Sequence, residues 1–262
     1  MGAKQTKPLY RILFVEDAAN EAELFRSKLE KSSLRVEIDW YETAELALES
    51  VDKGPEQYDI VICDYLLPGM TGLEMFKKIR TKCLIPFVIQ TGAGIESIAI
   101  KALKAGVDDY LIKDANFGYL DMVPAIIPQV INNFNAKLEH ARFEKELFAS
   151  EQRFKAIVNT ASDAMVSVDS DEKIVMWNQA AVDIFGYSVK EAIGKKISLI
   201  VKEQFYLKGA DKIKSKSKKG DTKNQRKVVL VDGWTNTKKK IPLELSWANW
   251  STAEGTFITA II

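Results

Sequence analysis

The sequence predicts an α/β half built on a doubly wound, five-stranded parallel sheet, joined by a long helix to an α+β half with an antiparallel sheet. Three observations predict it. Five short apolar runs alternate with amphipathic helical segments through the first 135 residues, the pattern of a parallel sheet covered on both faces. A helical periodicity then runs on past residue 140 with no turn signal. From about residue 150 the runs alternate apolar with polar residues and are separated by turn-forming clusters, as antiparallel strands require. A length of 262 residues suits two domains.

In the first half, strands are expected near 10–15, 35–40, 58–63, 85–90 and 109–112, with helices near 19–31, 42–51, 72–81, 95–105 and from 117 onward. Ala22, Phe25 and Leu29 give the first helix one apolar face, and Ile95, Ile98, Ala99, Ala102 and Leu103 do the same for the fourth. The third strand, Ile60-Val61-Ile62-Cys63, is apolar on both faces and stops at Asp64. A Leu-Pro-Gly turn follows, and Thr71-Gly72-Leu73-Glu74 opens a helix with Thr71 as N-cap.

The ends of the strands carry the chemistry. The first ends in Glu16-Asp17, the third in Asp64, the fourth in Thr91-Gly92 and the fifth in Lys113. In an open α/β sheet the carboxyl edge is where ligands collect, so these groups are expected in one cleft. A carboxylate there can be a metal ligand, a nucleophile or the cap of the next turn. Several carboxylates in one cleft repel one another unless a hard divalent cation sits among them, and Mg²⁺ takes oxygen ligands.

This constellation resembles the receiver domain of two-component response regulators, over about residues 8–135, and the resemblance implies a flavodoxin-like fold. It implies Asp64 as phosphoryl acceptor, Thr91 as switch hydroxyl, Tyr110 as switch aromatic and Lys113 as the lysine that pairs with the phosphoryl group. It implies Mg²⁺ as cofactor, held by Glu16, Asp17, Asp64 and the backbone carbonyl of Leu66. The sequence departs from receivers at one point: the lysine is usually followed by proline, often in a cis bond, and here by Asp114. A cis bond without proline costs about 2.5–4 kcal/mol, so this turn is expected to be trans or differently built.

In the connecting helix, Ile127, Ile131, Phe134, Leu138 and Ala141 fall at spacings of four, three, four and three, and Phe148 lies seven further on. This reads as a seam for a parallel dimer, with residues 136–150 as a helical linker. Pro124 and Pro128 are expected to kink its first turns. His140, the only histidine, is read as a solvated helix residue: Ala141-Arg142-Phe143-Glu144 is not the sequence that follows a kinase phosphohistidine, and no glycine-rich nucleotide segment comes after it.

In the second half, strands are expected at 164–168 and 173–177 around an Asp169-Ser170-Asp171 turn, then a short helix opened by Asn178 and ending at Phe185-Gly186-Tyr187. Runs near 224–232, 240–250 and 255–262 read as a three-stranded meander. Ser150-Glu151-Gln152-Arg153-Phe154, Trp177-Asn178, Phe185-Gly186-Tyr187, Gly194-Lys195-Lys196 and the last two runs together resemble a PAS domain over about 151–262, its last strand cut short by the end of the chain. With no histidine after His140 and no cysteine after Cys83, a histidine-ligated haem and a flavin–cysteinyl adduct are excluded. A non-covalent apolar ligand, or none, remains. Trp177, Phe185, Phe205, Trp247 and Trp250 are read as core rather than as pocket lining.

Charge divides unevenly. Residues 1–135 hold 15 Lys and Arg against 20 Asp and Glu, and residues 136–262 hold 22 against 16. Nine basic residues crowd into 208–227 without an aromatic among them, so a solvated face is preferred to a nucleic-acid surface. Cys63 and Cys83 read as reduced thiols. No apolar run reaches membrane-spanning length, and a cytoplasmic protein is expected. Met1-Gly2-Ala3-Lys4-Gln5-Thr6 fits the myristoylation pattern, though a plain lead-in to the first strand is the preferred reading.

The function expected is that of a response regulator, not an enzyme, phosphorylated on Asp64 by a cognate histidine kinase and signalling through the helix to the PAS half, as a homodimer, to an output partner that the sequence does not name. Two rivals are the front part of a longer hybrid sensor kinase or cyclase, and a DNA-binding regulator acting through 208–227.

Overall fold

The computed structural model describes residues 8–92, 96–201, 228–253 and 255–262. The basic run at 208–227, Phe205 and the myristoylation pattern lie outside the described residues. The chain divides into two compact units, Met1–Phe143 and Glu144–Ile262.

The first unit follows the alternation read from the sequence. Strands β1 (Leu9–Val15), β2 (Arg35–Tyr41), β3 (Ile60–Asp64), β4 (Phe87–Gly92) and β5 (Asp109–Lys113) form a sheet in the order β2-β1-β3-β4-β5. Every neighbouring pair is parallel. Helices α1 (Ala19–Glu30), α2 (Ala44–Lys53), α3 (Gly72–Arg80) and α4 (Glu96–Lys104) alternate with them. Successive strand residues go to opposite faces, so two cores result. Leu13, Val15, Val61, Cys63, Phe87 and Ile89 pack with α2, α3 and α4. Ile12, Phe14, Ile60, Ile62, Val88 and Leu111 pack with α1 and the start of α5 (Val123–Thr160). Phe14 stacks on Phe25 of α1 with ring centroids 4.0 Å apart.

The order reverses between β1 and β3, the switch point at which an open sheet splays its loops and leaves a crevice. Helix α3 closes one side of it. Thr71 caps the helix in a reciprocal box with Glu74, and Gly72 donates its N–H to the Tyr65 carbonyl at 3.0 Å. A Cβ on Gly72 would lie 2.4 Å from the Asp64 carbonyl oxygen. Glycine is there because the helix starts against the backbone of the strand end.

Helix α5 departs from expectation. Residues 117 onward do not begin as α-helix: Phe117 takes a left-handed conformation (φ 56°) and a 3₁₀ turn, Gly118–Asp121, precedes α5. The helix then runs from Val123 to Thr160 through Pro128. The expected dimer seam is partly spent on the first unit's own core. Ile127 and Phe134 are buried, Ile131 is half-buried against the same cluster, and Arg80 lies over the Phe134 ring. Periodicity reports a face, not who covers it. From 135 to 157 every residue is exposed, including Leu138, Phe143, Leu147, Phe148, Phe154 and Ile157.

The second unit holds a five-stranded sheet, order β7-β6-β10-β9-β8, from β6 (Met165–Val168), β7 (Ile174–Trp177), β8 (Val229–Trp234), β9 (Lys240–Thr252) and β10 (Gly255–Ile261). The pairs are antiparallel; β8, β9 and β10 form the expected meander, and β10 also pairs with β6. Helices α6 (Gln179–Phe185) and α7 (Val189–Ala192) follow β7. Trp177 and Phe185 are core, as expected, with centroids 5.4 Å apart. Trp250 is not. Its register partner is Phe257, on which it stacks at 4.7 Å, and it remains 45 % exposed on the face of the sheet away from Leu243 and Leu245.

Candidate functional site

Strand parity builds the site. Glu16 follows Phe14, Asp64 follows Ile62 and Lys113 follows Leu111, each by two residues, so all three side chains continue the face that packs on α1 and α5. They meet at the carboxyl edge. Lys113 Nζ lies 2.6 Å from Glu16 Oε2 and 3.2 Å from Asp64 Oδ2. A third carboxylate, from Glu21 on α1, lies 2.9 Å from the same nitrogen. Asp17, exposed, completes a set with Glu16 and Asp64 whose carboxylate oxygens all lie within 4.8 Å of one another. Among the described residues this is the one such carboxylate, histidine or cysteine cluster. It offers oxygen alone, which suits a hard divalent cation.

Burial dominates the electrostatics. Glu16 is 1 % exposed, and loss of water pushes its carboxyl up to about 7 against the opposing pull of Lys113. Asp64 is raised for the same reason, with Lys113 again working against the shift. Burial disfavours the Lys113 ammonium, but the hydrogen bond to Glu16 and the charge of Asp64 outweigh it and hold the group above its ordinary range. Cys63, beside Asp64 in sequence, is fully buried and kept as a thiol, out of reach as a ligand. The Glu16 backbone is itself fixed, its N–H donating to the Tyr41 carbonyl at 3.1 Å and its carbonyl accepting from the Trp40 indole at 2.8 Å.

Thr91 is 2 % exposed on β4, and its hydroxyl has no hydrogen-bond partner. The side chain of Gln90, the register partner of Asp64, is also buried with both amide atoms unpartnered. Tyr110, opposite Ile89 on β5, is half-buried and belongs to neither core of the unit. Leu66 sits in the loop after β3, two residues beyond Asp64, its side chain 60 % exposed.

The family model of the response regulator receiver domain matches residues 12–122, and that of the PAS fold matches residues 152–261. The chain carries a receiver domain followed by a PAS domain. Among curated proteins, it is 34 % identical to the transcriptional regulatory protein ResD of Bacillus subtilis, over 39 % of this chain and 41 % of that one. It is 32 % identical to the regulatory protein VanR of Enterococcus faecium, over 62 % of each. The matches thus span less than two thirds of these relatives. Among solved structures, a receiver domain protein from Clostridium thermocellum covers 48 % of this chain and 98 % of its own, at 23 % identity and a TM-score of 0.43. The PAS domain of an HTR-like protein from Haloarcula marismortui covers 46 % and 96 %, at 20 % identity and a TM-score of 0.38.

The receiver domain solves its missing proline with a carboxylate. No cis peptide occurs among the described residues, so the Lys113–Asp114 bond is trans, as expected. The Asp114 side chain accepts N–H groups from Asn116 at 2.9 Å, Gly118 at 3.0 Å and Tyr119 at 2.7 Å, while its carbonyl accepts from Phe117 at 3.0 Å. Those bonds hold its carboxyl below the usual range. The Asp114 charge is thus committed to the loop's own backbone.

The PAS domain has a buried hub that sequence reasoning took for a simple cap. Asn178 is 1 % exposed and makes four hydrogen bonds. Its Oδ1 accepts from Met165 N–H at 2.9 Å and Ala181 N–H at 3.0 Å. Its Nδ2 donates to the carbonyls of Val158, in the last turns of α5, and Asp163, each at 3.0 Å. Among the described residues no helix is long and apolar enough to cross a membrane.

Proposed function

We propose that this chain is a phosphoryl-accepting response regulator: Asp64 takes a phosphoryl group from the phosphohistidine of a kinase, and helix α5 carries the consequence to the PAS domain. The observation that carries the reading is the buried Thr91 hydroxyl, left without a partner at the strand edge where Lys113 reaches Asp64. A buried donor with nothing to bond is costly unless some state of the protein supplies an acceptor. A phosphoryl oxygen on Asp64 is such an acceptor.

In the transfer, an Asp64 carboxylate oxygen forms a P–O bond as the P–N bond breaks, and the electron pair stays with the imidazole nitrogen of the kinase. Glu16, Asp17, Asp64 and the Leu66 carbonyl would hold Mg²⁺, which neutralises charge on the phosphoryl oxygens when bound. Lys113 takes one remaining oxygen and Thr91 another. Tyr110, outside both cores, is free to repack when Thr91 moves, which biases the surface around α4, β5 and the start of α5.

A second copy of the chain is the expected partner for α5. Phe143, Leu147, Phe154 and Ile157 recur at spacings of four, seven and three, and each is at least 60 % exposed. This stripe replaces Ile127 and Phe134 as the dimer contact. The direct test is uptake of a phosphoryl group from a small phosphodonor with Mg²⁺, read by intact mass. The unsubstituted protein gains one group and Asp64→Ala gains none. Equal uptake by the two proteins refutes the assignment.

A further inference from the structure

Among the described residues Lys113 is the ammonium that the ion pairs bring to the site, and three carboxylates hold it. Two of them, Glu16 and Asp64, belong to the strand edge. Glu21 does not: it projects from the first turn of α1, on the same side of the sheet, and reaches Nζ at 2.9 Å. Its contact is an ion pair rather than a directed hydrogen bond, for the Glu21 Oε2 atom is buried yet has no well-aligned donor. The Lys113 side chain is 14 % exposed and that of Glu21 26 %, so water screens the pair only in part.

We infer that Glu21 is a positioning residue for phosphoryl acceptance, a competing counter-ion that draws Lys113 toward α1 and away from Asp64. The inference rests on the phosphoryl-acceptor reading of Asp64. Lys113 Nζ is 0.3 Å nearer to Glu21 than to Asp64, 2.9 against 3.2 Å. A phosphoryl group arriving at Asp64 brings oxygens that must recruit the same ammonium, and each contact Lys113 makes to them is made against the pull of Glu21. The Glu21 charge also repels an anionic donor at the site through space. Both effects slow loading, and both vanish when the carboxylate becomes an amide of the same shape. Glu16 cannot be relieved in this way, because it belongs to the cation-binding set.

The experiment uses the full chain at saturating Mg²⁺ with a small phosphodonor. Glu21→Gln should load roughly fivefold faster, the size expected of a partly screened ion pair. Glu23→Gln, the same charge change on an exposed position of the same helix, should load at the unsubstituted rate. In a Lys113→Ala background the advantage of Glu21→Gln should shrink to the direct repulsion alone, which a double-mutant cycle reads as coupling. Glu21→Asp, which keeps the charge, should restore slow loading. A Glu21→Gln rate at or below the unsubstituted one, a matching gain in Glu23→Gln, or no coupling to Lys113 overturns the proposal. A second readout does not depend on loading: the Lys113 Nζ resonance in Mg²⁺-free, ¹⁵N-lysine-labelled protein should move in Glu21→Gln and stay in Glu23→Gln. An unmoved resonance overturns the role of Glu21 whatever the donor does. Failure of the unsubstituted protein to load refutes the acceptor reading instead, and leaves the resonance to judge Glu21.

Discussion

The two domains each bury a cluster of polar groups, and they treat it in opposite ways. In the PAS domain Asn178 has every donor and acceptor of its side chain used, four bonds in all. In the receiver domain Thr91 and Gln90 are buried with side-chain atoms unpartnered, and three carboxylates share Lys113. A satisfied cluster fixes one arrangement of the chain. An unsatisfied one keeps bonding capacity in hand for another state, and lowers stability while it waits. The contrast separates a structural hub from a candidate site without reference to either family.

The strongest way to break the contrast is at Asn178. Asn178→Ala strands two N–H groups and two carbonyls, and should cost the PAS domain about 3–5 kcal/mol. Urea unfolding followed by far-UV circular dichroism reads this. A loss under about 1 kcal/mol would mean that the backbone, and not Asn178, holds the end of α5 to the domain.

The receiver side should respond in the other direction. Gln90→Leu replaces an unpartnered buried amide by an apolar group of similar volume, and should raise stability by about 1–2 kcal/mol. A loss of equal size in the same urea experiment would show that the amide is already bonded, through water or through the site. Either result sharpens the comparison.

The smallest effect belongs to Asp114, which is half-buried and whose carboxylate is occupied by three N–H groups. Its folded value lies below its ordinary one. The stabilisation it gives is therefore complete above the unfolded pKa, about 4, and fades as pH falls through the folded value. Asp114→Asn has no charge to lose. Its urea midpoint should consequently drop less than that of the unsubstituted protein between pH 5 and pH 3, and identical acid limbs would show that the bonds do not depend on ionisation.

Much of this was legible in the sequence, because each signal was local. The strands of the receiver were readable from unbroken apolar runs, and the placement of Glu16, Asp64 and Lys113 followed from the rule that such runs end at the functional edge. Parity and packing were not legible to the same degree. Gln90 looked like the tail of a strand, and only its register with Asp64 shows it beside the site. Glu21 is in sequence one of several acids on an amphipathic helix, and its reach to Lys113 depends on how α1 lies on the sheet. Ile127 and Phe134 fitted a seam by spacing, yet the receiver core had a claim on them that spacing cannot express. Trp250 reads as core rather than pocket lining by residue type alone, and its parity on β9, opposite to that of Leu243 and Leu245, turns it outward. A signal could have found Asn178: an asparagine just after a strand and before a helix can cap the helix and still have an amide left to donate.

The carboxylate that follows Lys113 has a consequence for how such sites are defined. A signature written as lysine followed by proline describes one solution to a backbone problem, and it passes over this chain. The problem itself is that the loop after β5 must present its N–H groups to something while it turns under the lysine. A ring at this position lacks its own N–H and fixes its own φ but leaves these three groups to other acceptors, whereas the Asp114 carboxylate gathers all three. Two unlike residues thus constrain the turn by different means, one by a fixed dihedral and the other by gathered N–H groups, and a definition by the constraint, rather than by the letter that imposes it, would place both in one class.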